Sequence, residues 1–89
     1  MTNEEIYELA IRTFGTFEQE RIAIEECSEL IQAISHKHRG REHNIPEEIA
    51  DVEICIEQLK MINGCNEEVE RIKAEKIQRL YDNICDKCF

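Results

Sequence analysis

Five acidic residues fall into two short runs whose spacing points to chemistry: Glu25-Glu26-x-x-Glu29 in IEECSELIQAI and Glu48-x-x-Asp51 in PEEIADVEICIEQL, with eighteen residues between Glu29 and Glu48. On a helix, residues three apart share a face, so each run points a pair of acids the same way. Like charges at that spacing repel by roughly 0.2–0.5 kcal/mol per exposed pair, and more strongly once water is withdrawn. A hard divalent cation held between the two segments would remove the repulsion. All-oxygen ligands suit magnesium, manganese or calcium rather than zinc or copper. The Glu-x-x-His motif of di-iron bundles is missing from both runs. Magnesium keeps several waters and is usually completed by substrate phosphates, so a phosphate-bearing ligand is expected with it.

The position of these acids on their helices separates a site from a merely acidic surface. At about 100° per residue, Ile22, Ala23, Cys27, Leu30, Ile31, Ala33 and Ile34 form one broad apolar arc. Glu26 falls inside it, Glu29 lies at its edge and Glu25 further out. In the next segment, Ile49, Val52, Cys55, Ile56, Leu59 and Ile62 form the main stripe; Glu48 lies within it and Asp51 borders it. Glu47, Glu53 and Glu57 lie off the stripe and read as a solvated face. Ionised carboxylates directed at a core are rare unless paired or bound to metal, which singles out Glu26 and Glu48.

Four helices must position these residues. The first spans about Asn3 to Phe14, capped by Thr2 or Asn3, and is broken at Gly15-Thr16. The second runs from about Phe17 or Glu18 to His38 and stops at Gly40. Pro46 sits in the first turn of the third, where its missing N–H is harmless, and that helix ends at Asn63-Gly64. Asn66 is a candidate cap for the fourth, whose apolar positions are Val69, Ile72, Ile77, Leu80 and Ile84. No strand-like alternation occurs. The expected fold is an all-α four-helix bundle in a single domain, residues 1–89. Ala50, Ile54 and Met61 make a second, lesser apolar stripe on the third helix, and a helix apolar on two sides is central or lies at an interface. A homodimer or homotetramer is therefore expected to complete the bundle.

A net charge of −9 over 89 residues disfavours nucleic-acid binding, which needs a basic footprint, and anionic membrane surfaces. No apolar run is long enough to span a bilayer, so a soluble, cytoplasmic protein is expected. Five cysteines are an odd number for a disulfide scaffold. Cys27 and Cys55 read as small hydrophobes on helical apolar faces. Cys85-x-x-Cys88 has no second C-x-x-C to complete a zinc site and reads as a frayed tail. The basic run from His36 to His43 suits the end of the second helix, where cations complement the dipole. Lys76 and Arg79, a turn apart on the fourth helix, are either phosphate partners or part of a solvated face.

The two spaced acidic motifs together resemble the signature of the MazG-like all-α nucleoside triphosphate pyrophosphohydrolases, in their compact single-domain branch, over roughly Gln19 to Tyr81. The resemblance implies magnesium-dependent hydrolysis of a nucleoside triphosphate to the monophosphate and pyrophosphate, with a role in cleansing the nucleotide pool and with manganese able to substitute. By motif, Glu26, Glu29, Glu48 and Asp51 would hold the metal, with Glu26 and Glu48 central to catalysis. Glu25 would support the site or orient the attacking water. Lys76, Arg79 and Tyr81 resemble a looser family pattern of phosphate and base contacts. The alternative is a non-catalytic helical module that binds magnesium and nucleotide to regulate a partner.

Overall fold

A computed structural model describes residues 1–88 of the chain; Phe89 and the side chain of Cys88 lie outside the described residues, and with them half of the Cys85-x-x-Cys88 motif. Four helices follow one another: α1 (Asn3–Phe14), α2 (Thr16–His38), α3 (Ile45–Asn63) and α4 (Asn66–Cys88), with no strand among the described residues. The all-α, four-helix expectation holds.

Local chemistry sets the ends of the helices. Thr2 caps α1 in a reciprocal box: its hydroxyl accepts from the Glu5 N–H at 3.1 Å, and the Glu5 carboxylate accepts from the Thr2 N–H at 3.1 Å. Gly15 closes α1 and opens α2 at once, at φ 91, a conformation that an L side chain would resist. Its N–H donates to the Ile11 carbonyl and its carbonyl accepts from the Gln19 N–H, so α2 begins at Thr16, slightly earlier than expected. Gly64, left-handed at φ 57, ends α3, and the Cys65 N–H returns to the Lys60 carbonyl at 3.1 Å in the manner of a Schellman motif. At the C-terminus, α4 stays helical through Cys88, where a frayed tail was expected.

The packing is uneven. The principal contact is between α2 and α3, α1 rests on both, and α4 meets α3 alone. Across the α2–α3 pair, the buried Gln19 side-chain amide donates to the Gln58 side-chain oxygen. Seven residues on from Gln19 is Glu26, and seven back from Gln58 is Asp51; three further along each helix are Glu29 and Glu48. One antiparallel register therefore sets Glu26 opposite Asp51 and Glu29 opposite Glu48.

The apolar residues buried in the core are Ala23, Ala33, Val52 and Cys55, all small, and no large side chain is fully enclosed. Ile31, read as part of the α2 arc, is exposed, and so is Cys27, which was read as a small hydrophobe on that arc. The arc on α2 is wider than the face that α3 covers. A chain of this length packed as one globule would have a radius of gyration of about 12 Å, whereas this one measures 16.4 Å. The difference reflects α4, whose Ile77, Leu80, Tyr81 and Ile84 are all exposed.

Candidate functional site

Glu26 and Glu29 come from the middle of α2, Glu48 and Asp51 from the first turns of α3, and the antiparallel register brings the four together. Carboxylate oxygens of Glu26, Glu29 and Glu48 lie within 4.8 Å of one another, and the Asp51 carboxylate is near enough for its charge to bear on Glu26. Glu48 is only 6% exposed. One carboxylate oxygen of Glu26 and one of Glu48 are buried without any hydrogen-bond partner, a condition that costs several kcal/mol or shifts the group toward its neutral form.

That shift is present. Burial, then the charges of Glu29 and Asp51, push the Glu26 carboxyl up to about 7 from an ordinary value of 4.5. Glu48 is raised as well, chiefly by burial and against the opposing hydrogen bond from Asn44. Among the described residues, no lysine, arginine or histidine is ion-paired with any of the four acids. The cluster holds more acid than the chain can neutralise without taking up protons or a cation.

Asn44, absent from the residues singled out in the sequence, belongs to the site. It occupies the cap position of α3 but makes no side-chain hydrogen bond to the helix backbone. Its amide donates instead to Glu48 at 2.9 Å and, more distantly, to Glu47 at 3.4 Å. This occupies one oxygen of Glu48 and leaves the other buried without a partner. The available signal was an Asn four residues before the most buried acid, immediately ahead of a helix that opens Ile45-Pro46.

The structure does not bring every sequence-derived candidate to this place. Glu25 is turned outward and paired with Arg21 at 2.9 Å; Arg21 also holds Glu18. Lys76, Arg79 and Tyr81 lie on α4, which makes no contact with α2, so within one chain they are not brought to the acids. Four carboxylates, two with orphan oxygens, make a donor set of the kind that hard, oxygen-seeking divalent cations prefer. Compared with known proteins, the chain matches no family model, no curated protein and no solved structure.

Proposed function

We propose that this chain is a magnesium-dependent nucleoside triphosphate pyrophosphohydrolase, releasing the monophosphate and pyrophosphate. The observation that supports the reading best is the pair of buried, partnerless carboxylate oxygens on Glu26 and Glu48, in a cluster that has no ion-paired cationic side chain among the described residues. Glu26, Glu29, Glu48 and Asp51 would hold the metal, with manganese as a substitute. When bound, the ion offsets charge on phosphate oxygens and favours ionisation of the attacking water.

The chain's own residues have distinct tasks in this reading. Asn44 keeps one oxygen of Glu48 occupied, and the other, buried without a partner, would be left for the ion. Asp51, whose charge bears on Glu26, would complete the donor set. With Glu25 engaged by Arg21 at the surface, accepting a proton from water falls to a carboxylate of the cluster itself.

The test is pyrophosphate release from a panel of nucleoside and deoxynucleoside triphosphates with magnesium, with Glu48→Gln protein as the control. Wild-type turnover that is lost in the variant, at unchanged helical content, is the expected result. Equal release by both proteins, or none by the wild type across the panel, would overturn the reading.

A further inference from the structure

Basic side chains are concentrated where α2 gives way to α3. All three histidines, and three of the eleven lysines and arginines, fall between His36 and His43, with Glu42 the single acid among them. Attraction to the C-terminal end of the α2 dipole accounts for His36, Lys37 and His38, which lie in its last turn. It does not account for Arg41 and His43, which lie beyond the helix. Although the chain carries a net charge of −9, none of these six side chains is ion-paired among the described residues.

The backbone folds this stretch back on itself at the end of the bundle where Glu29 and Glu48 meet. Gly40, left-handed at φ 70, donates its N–H to the Lys37 carbonyl at 3.1 Å, and the Arg41 N–H returns to the His36 carbonyl at 2.8 Å. Arg41 is thereby set beside His36. That histidine lies seven residues past Glu29, on the same face of α2 and two turns, about 10 Å, further along. Ala33, between them on that face, is buried, so the face is the one turned into the bundle. On the other flank, Asn44 donates to Glu48 at 2.9 Å and is three residues from Arg41, a span of at most about 11 Å. Each flank of the basic turn therefore leads directly to one of the clustered acids.

We infer that the His36–His43 turn holds the two outer phosphates of the triphosphate, with Arg39 and Arg41 as the principal contacts and His36 on the side nearest the acids. The inference rests on the reading of the acids as a site for a phosphate-bound cation. Four carboxylates repel a polyphosphate, and a single divalent ion does not neutralise both, so a cationic flank has to bear the outer charge. Guanidinium groups suit that task, because their forked donors match phosphate oxygens two at a time. The turn contributes positioning and charge; it takes no proton from water.

The test measures two things on the full chain: binding of magnesium tripolyphosphate by calorimetry, and KM and kcat for a nucleoside triphosphate. Both arginines are exposed, so the double variant Arg39→Ala/Arg41→Ala should keep its helicity. It should weaken tripolyphosphate binding, and raise KM, by about tenfold or more, while kcat changes by less than about threefold. Arg39→Lys/Arg41→Lys, which keeps the charge, should recover part of the loss. Arg12→Ala/Lys87→Ala removes the same charge elsewhere and should shift either quantity by less than about twofold. Equal weakening in that control pair would reduce the effect to net charge and overturn the assignment. Wild-type tripolyphosphate affinity in the turn variant, or a wild type that binds no tripolyphosphate, would overturn it as well. Failure of the hydrolase reading looks different: tripolyphosphate binding still depends on the turn, but no nucleotide is turned over.

Discussion

The two sides of α3 are incomplete in opposite ways. Toward α2, the helix buries charge: Glu48 and its neighbours lie among small side chains, with more carboxylate than positive charge. Toward α1 and α4, the helix exposes oil: Ala50 and Ile54 line an open groove between the starts of those two helices, beside Glu53 and Glu57. A buried carboxylate without a cation and an exposed isoleucine without cover are both unfavourable, but different things relieve them. The first is relieved by protonation or, in the function proposed above, by a small, hard, doubly charged ion; the second would be relieved by apolar cover. One helix thus carries two unlike surfaces, kept apart by about half a turn of rotation.

Substitutions can break that contrast, and the largest effect is expected on the acid side. Glu48→Gln, which removes a charge aimed into the cluster, should lower pyrophosphate release by more than about 100-fold, beyond the loss typical of groups that only support a metal ligand. Gln58→Leu should destabilise the chain by about 1–3 kcal/mol in urea unfolding, because the Gln19 amide is left buried without its acceptor. Replacing both glutamines by leucine should restore much of the loss. Proton linkage provides a third test in the metal-free protein. The Glu26 carboxyl titrates at about 7 when folded and at its ordinary 4.5 when unfolded, so between these values the folded state holds the extra proton. Stability must then fall as pH rises through that window. The melting temperature should be higher at pH 5 than at pH 8, magnesium should recover stability at pH 8, and Glu26→Gln should flatten the profile. The smallest effect belongs to the outward acids: Glu25→Gln, which loses only the exposed pair with Arg21, should change turnover by less than about twofold, as surface ion pairs contribute little.

Much of the helical plan could be read from the sequence, because breaks at Gly15, Gly40 and Gly64 and the early Pro46 act locally on the backbone. The four clustered acids were legible for a related reason: spacing fixes the face of a helix, and two faces bearing Glu26 and Glu48 must meet if each is to leave water. Direction in space was not legible. Which way α4 leaves α3 depends on the turn at Gly64-Cys65 and on what α4 packs against, so the spacing of Lys76, Arg79 and Tyr81 could not place them. Glu25 illustrates a further limit. Adjacent to Glu26 in sequence, it lies about 100° away on the helix, close enough in the motif to be grouped with the site and far enough round to pair with Arg21. Gln19 and Gln58 went unnoticed because amides on a helical wheel resemble solvent-facing residues. Their signal was periodic: Gln19 lies four residues before buried Ala23, and Gln58 three after buried Cys55.

That glutamine pair has a consequence beyond its own hydrogen bond. It sits two helical turns, about 10 Å, from the nearest of the acids, yet sliding α2 along α3 would disturb both together. The spacing of the carboxylates is thus gauged from a distance, by a contact that touches no ligand. Small divalent ions demand near-ideal octahedral distances, while larger ones tolerate irregular shells. If the acids hold the ion proposed above, its preference would be tunable by a contact outside the donor set: loosening Gln19–Gln58 should relax discrimination in favour of calcium over magnesium before it abolishes binding.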